Sequence, residues 1–178
     1  MDVIRELLDW PASLRKGAVA IGNFDGVHRG HARIVERLLA VAPQVDGPAV
    51  VFTFDPHPVR LLRPQQAPPP LTWTERKADL LGELGVDHVI AYPTDEALLQ
   101  LAPEEFFDRI VRRRLDARAM VEGPNFYFGR ARSGDIERLQ TLCTASGVLL
   151  EVVEPIEIDG EYVSSSRVRK LIESGRVE

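Results

Sequence analysis

Residues 18–31 read Ala18-Val19-Ala20-Ile21-Gly22-Asn23-Phe24-Asp25-Gly26-Val27-His28-Arg29-Gly30-His31. The first four are apolar and include β-branched side chains, the composition of a short strand buried on both faces. Three glycines punctuate the next nine residues, and beyond them Ile34, Val35, Leu38 and Leu39 recur with helical spacing. A strand therefore runs through a glycine-rich turn into a helix. A second apolar run, Ala49-Val50-Val51-Phe52-Thr53-Phe54, closes the helix into a β-α-β unit, and such units pair their strands in parallel through a right-handed crossover.

Outward from this unit the alternation repeats. A helix is predicted over residues 74–84, closed by Gly85, and then the strand His88-Val89-Ile90-Ala91-Tyr92. Pro103 suits the first turn of another helix, with Phe106, Phe107, Ile110 and Val111 on its apolar side. Ala119-Met120-Val121 is a short strand; residues 135–146 form a helix with Gly147 just past its end, and residues 148–153 return a strand. The spacing predicts an α/β fold: a Rossmann-like, open, mostly parallel sheet with helices on both faces. Three stretches interrupt it. Residues 56–70 are proline-rich without periodicity and read as a long excursion, mobile or facing a ligand. Residues 123–135 form a second loop. Around Asp159-Gly160 a small hairpin is expected.

At 178 residues and 44% hydrophobic content, the chain has the size and core material of a single domain over residues 1–178. A net charge of −5 argues against a nucleic-acid partner bound by bulk electrostatics, while leaving room for a small anion at a local positive site. One cysteine, Cys143, excludes a disulfide framework and an all-cysteine zinc cluster, so a reducing compartment is expected. Charged residues interrupt residues 1–10 where a secretory leader would be apolar, and no run reaches membrane-spanning length. The expected location is the cytoplasm, with no membrane partner.

The glycine-rich turn lies where a parallel sheet binds ligands, at the carboxyl ends of its strands. Gly22, Gly26 and Gly30 clear space for a phosphate to approach backbone N–H groups at a helix start. His28 and His31, three residues apart, can face one ligand. No Gly-Lys-Ser/Thr is present at the required spacing, so this is not a P-loop; nor is it the Gly-x-Gly-x-x-Gly fingerprint, and the Glu of a His-Glu-x-x-His zinc site is missing. A second constellation, Ser164-Ser165-Ser166-Arg167-Val168-Arg169, precedes Leu171 and Ile172 at helical spacing. Its serines are N-caps in the simplest reading, and the same geometry offers hydroxyls, free N–H groups and the Arg169 charge to an anion. Arg112-Arg113-Arg114 complements a helix end, His88 is structural, and Cys143 is a buried apolar residue rather than a nucleophile.

The run from Gly22 to His31 resembles the Gly-x-Phe-Asp-Gly-x-His-x-Gly-His signature, and Ser164 to Arg169 resembles the Ser-Ser-Ser/Thr-x-x-Arg signature, of the adenylyltransferase module of bacterial bifunctional riboflavin kinase/FAD synthetases, in the nucleotidyltransferase superfamily. Phe54-Asp55-Pro56-His57-Pro58 and the loop Gly123-Pro124-Asn125-Phe126-Tyr127-Phe128-Gly129-Arg130 agree with that family as well. The resemblance implies a nucleotidyltransferase-type sheet and an FMN adenylyltransferase that makes FAD and pyrophosphate from ATP and FMN, with Mg²⁺ assisting. It places His28 and His31 on the α-phosphoryl group and Arg169, with Ser164, Ser165 and Ser166, on the β- and γ-phosphates. Gly22, Asn23, Phe24, Asp25 and Gly30 shape the ATP pocket. Phe54, His57, Pro58, Asn125 and Phe128 form the flavin slot, although Phe54 and Phe128 read equally as core aromatics. Asn125 is the one protein ligand implied for a magnesium ion held mainly by phosphates and water. The family's riboflavin kinase domain is absent from this sequence, which stops after the Arg169 helix, so that activity is not expected and a separate or truncated kinase module is the implied partner. The alternatives are a transferase acting on pantetheine phosphate, nicotinamide mononucleotide or a cytidylyl substrate, and a nucleotide-binding module without catalysis.

Overall fold

The computed structural model describes residues 3–5 and 11–176. The absence of a leader, read mainly from residues 1–2 and 6–10, and the chain end at residues 177–178 fall outside them. In chain order the elements are β1 (Val3–Ile4), β2 (Ala18–Ile21), α1 (Arg29–Val41), β3 (Ala49–Asp55), α2 (Pro58–Leu62), α3 (Thr74–Glu83), β4 (His88–Pro93), α4 (Glu96–Leu99) and α5 (Pro103–Phe106). Then come β5 (Ala119–Glu122), α6 (Ile136–Ser146), β6 (Leu149–Val152), the hairpin β7 (Glu157–Ile158) and β8 (Glu161–Tyr162), and α7 (Ser165–Glu173). After α5 the helix widens to i→i+5 bonding through Phe107–Arg114 and ends on the three arginines.

Six strands pair in parallel in the order β1-β4-β3-β2-β5-β6, so the first long strand sits in the middle and its successors lie to either side. Because strand side chains alternate, β2 sends Val19 and Ile21 to one face and Ala18 and Ala20 to the other. The first face packs Phe52, Ile90 and Met120 against Phe106, Phe107, Ile110, Leu139 and Cys143 of α5, its continuation and α6. The second packs Val51, Val89 and Val121 against Val35, Leu38 and Val41 of α1 and Ala78 and Leu81 of α3. This is the layered α/β sheet expected, and it puts the gap between β2 and β5, where strand order reverses, beside the glycine-rich turn.

Local signals set the boundaries. Pro103 opens α5, Asp135 caps α6 by accepting from the Arg138 N–H, and Gly147 ends α6 at φ +68°. Residues 56–70 differ from the irregular excursion expected: His57 caps a short helix, α2, that starts on Pro58, and one tighter turn comes next over Pro64–Gln66. Five residues are too few to display a period. Among the described residues no helix is long and apolar enough to cross a membrane.

Candidate active site

The carboxyl end of β2 feeds a loop held in unusual backbone conformations, with Phe24 at φ 47°, Gly26 at +80° and Val27 at 37°. Phe24 is buried beneath it, and the Thr53 hydroxyl donates to the Asn23 carbonyl at 3.1 Å. The loop delivers His28 to the N-cap of α1, where its Nδ1 accepts from the His31 N–H at 3.4 Å. Nδ1 being the acceptor, the proton of a neutral His28 ring sits on Nε2. The two imidazoles stack with centroids 3.7 Å apart, and His31 also lies 5.0 Å from the Phe24 ring. Burial pushes both below the ordinary histidine range, His31 down to about 3, with His28 and Lys77 adding to its shift. Both rings are therefore neutral donors at physiological pH. His31 Nδ1 and Asn23 Oδ1 are buried without a hydrogen-bond partner among the described residues.

The start of α7 comes to the same place. Ser164 caps it, accepting from the Arg167 N–H at 3.2 Å, and the Ser165 hydroxyl donates to the Asp25 carbonyl at 3.0 Å. Gly30 keeps this junction close, since a Cβ would come within 3.2 Å of the His28 ring and 3.4 Å of the Val163 carbonyl. Two helix N-termini thus open on one cavity of about 330 Å³, lined by His28, His31, Ser164, Ser165, Glu122 and Asn125. Their unpaired N–H groups and dipoles suit a polyanion. Gly22 and Phe24 line the same cavity, whereas Ser166 is exposed and lies outside it.

Gly26 departs from its expected use. Its N–H donates to Thr72 Oγ1 at 3.1 Å, and the space left by its missing side chain is filled by Leu71, so it binds its own chain rather than leaving its N–H to a phosphate. Asp25 is the centre of this contact. Its buried carboxylate accepts from the N–H groups of Leu71 (2.9 Å) and Thr72 (3.0 Å) and pairs with the Arg169 guanidinium, which also donates to the Pro69 carbonyl at 2.8 Å. Arg169 therefore does not line the first cavity. It lines a second cavity of about 240 Å³ with Phe54, Pro56, His57, Trp73 and Lys77.

This arrangement divides the residues expected in a single flavin slot. Phe54 and His57 line the second cavity, Pro58 begins α2 beside it, and Asn125 opens on the first. Phe128 is core, stacked on Phe126 at 5.4 Å and bridged to Gly134. The cause is strand order: the two loops leave β3 and β5, which flank β2 on opposite sides. For a divalent cation, no group of three His, Cys, Asp or Glu side chains converges among the described residues, and the Asn125 amide is a weak neutral donor. The residues present do not fit a protein-held metal. Sequence reasoning also missed two buried groups. Lys77 donates to Thr53 Oγ1 at 3.1 Å, and burial lowers its pKa against the attraction of Asp25 and Asp55. Glu122 accepts from the Ile21 N–H at 2.8 Å at the floor of the first cavity. Each occupies a position that its helix or strand turns inward, and that is the signal a sequence offers.

Known proteins resemble this chain in sequence and in fold. The chain is 36% identical over 172 residues to a bifunctional riboflavin kinase/FMN adenylyltransferase from Pseudomonas fluorescens and 31% identical over 173 residues to that of Escherichia coli (strain K12). Each match covers 97% of this chain and 55% of the relative, so the chain spans about half the length of these curated relatives. A relative from Geobacillus thermodenitrificans (strain NG80-2), named for the same two activities, is 31% identical over 175 residues, with 93% of this chain and 88% of the relative covered. Among solved structures, a macrolide-efflux protein from Streptococcus pneumoniae superposes with a TM-score of 0.83 at 23% identity, covering 99% of this chain and 57% of the other; at that identity it shows the fold alone. The FAD synthetase family model matches residues 11–167, which takes in every element from β2 into the first turn of α7 and both helix starts of the first cavity. With the sheet, the histidine turn and the serine cap in one arrangement, the chain belongs to the FAD synthetase family.

Proposed function

We propose that this protein is an FMN adenylyltransferase: the 5′-phosphate of FMN attacks the α-phosphorus of ATP in line, an FMN-oxygen to phosphorus bond forms, the bond to the pyrophosphate leaving group breaks, and FAD results. The observation that carries this reading is the convergence of the α1 and α7 N-termini, with His28, His31, Ser164 and Ser165, on one cavity. No enzyme nucleophile is needed. The work is positioning and stabilisation of charge growing on the phosphoryl oxygens. His28, with Nε2–H free, and the neutral His31 donate to the α-phosphoryl oxygens; the Ser164 hydroxyl and first-turn N–H groups hold the β- and γ-phosphates. Mg²⁺ enters as the counter-ion of ATP, and the ATP phosphates and water hold it.

The second cavity, walled by Phe54, Pro56, His57 and Trp73 and carrying Lys77 and Arg169, takes the flavin. Flat aromatic and proline surfaces suit the ring, and the cations suit the FMN phosphate. The loop of residues 23–28 separates the cavities, so Arg169 exchanges Asp25 for phosphate as the substrates meet. The working location is the cytoplasm, where a riboflavin kinase module supplies FMN. Quenching of flavin fluorescence on titration tests the acceptor: saturable quenching by FMN is expected, and unchanged emission with and without MgATP points to a transferase of another specificity.

A further inference from the structure

Glu122 ends β5 at the reversal point of the sheet, is 3% exposed, and lines the cavity that holds His28 and His31. One carboxyl oxygen accepts from the Ile21 N–H at 2.8 Å, and no other hydrogen bond or ion pair to the carboxyl forms among the described residues. From the other elements packed around it come the neutral rings of His28 and His31, the Cys143 thiol of α6, pushed up to about 12, and Glu154 beyond β6. None supplies a positive charge. A buried carboxylate with a single neutral donor is expensive, and next to a bound polyphosphate it would add direct repulsion.

We propose that Glu122 serves as a neutral carboxylic acid whose second oxygen donates a hydrogen bond to the nucleotide in this cavity. Burial holds its carboxyl well above the ordinary carboxylate range, with the Ile21 bond only partly opposing it. The O–H is then a third uncharged donor beside the two imidazoles, at a point where an ionised side chain would turn the nucleotide away. The inference rests on the nucleotide reading of the first cavity. It adds a positioning residue that reaches the ligand from the strand floor rather than from a helix start.

Difference infrared spectroscopy of the full chain against E122Q tests it, because glutamine keeps the Ile21 bond while removing the acid. At pH 7.5 the wild-type-minus-variant spectrum is expected to show one protonated-carboxyl C=O band, which ATP moves to lower wavenumber. A carboxylate signature at that pH overturns the proposal. So does a protonated band that stays in place while calorimetry shows ATP bound. If calorimetry shows no ATP binding to the wild type, the nucleotide reading fails and this inference fails with it, an outcome distinct from the other two.

Discussion

On the adenylyltransferase proposal, His28 and His31 act through donors that matter most as charge develops, so their loss belongs in turnover rather than in affinity. Replacing either with Ala is expected to lower kcat for FAD formation by roughly 10²- to 10³-fold while changing the ATP dissociation constant little. Normal turnover in both variants would contradict the assignment. The same side chains set an acid limit on stability. His31 in the folded protein titrates near 3, against 6.5 for the unfolded chain, so between those values the unfolded state binds more protons. The His31 contribution is therefore complete above pH 6.5 and is lost as pH falls toward 3. Glu122 has the opposite sign: its folded pKa lies above 4.5, so its contribution is intact below that value and declines as pH rises through the folded pKa. Thermal unfolding across pH 4–9 checks both: H31Q is expected to flatten the acid limb and E122Q the alkaline one.

At the scale of elements, the decisive contact joins three segments at Asp25: its own loop, residues 69–72, and α7 through Arg169. Breaking a buried pair leaves an uncompensated charge, so D25N is expected to cost about 3 kcal/mol in urea unfolding. It also speeds amide exchange at Leu71, Thr72 and the start of α7. Gly26→Ala is expected to cost about 2 kcal/mol, since its φ of +80° disfavours a side chain and a Cβ would come within 2.8 Å of Leu71. Calorimetric melting measures that loss, and an unchanged melting temperature would remove Gly26 from the latch. Much of this level is legible in the chain. The strand ends, the Pro103 helix start and the Gly147 stop are local chemistry, visible within a few residues. The Asp25 latch is not, because its partners lie 46 to 144 residues away and only the fold brings them together. Helix α2 escapes for another reason: its signal is a cap and a proline, His57-Pro58, rather than a period.

For the whole molecule, strand order decides what the site contains. Apolar runs and glycine stops predict parallel strands, and they say nothing about which side of β2 each strand takes. Phe54 and Asn125, expected in one slot, therefore face different cavities, while Ser164 and His28, 136 positions apart in sequence, share one. Lys77 and Glu122 are hidden for the same reason: a charged residue on an inward-facing position is legible as unusual, but its partner is set by the packing of other elements. The two cavities, separated by the loop of residues 23–28, suit a reaction between two phosphate-bearing substrates. The most direct test is incubation of the protein with ATP, Mg²⁺ and FMN and then chromatography of the flavins. The account predicts FAD and pyrophosphate in equal amounts; FMN recovered unchanged, from protein that binds both ATP and FMN, would contradict it.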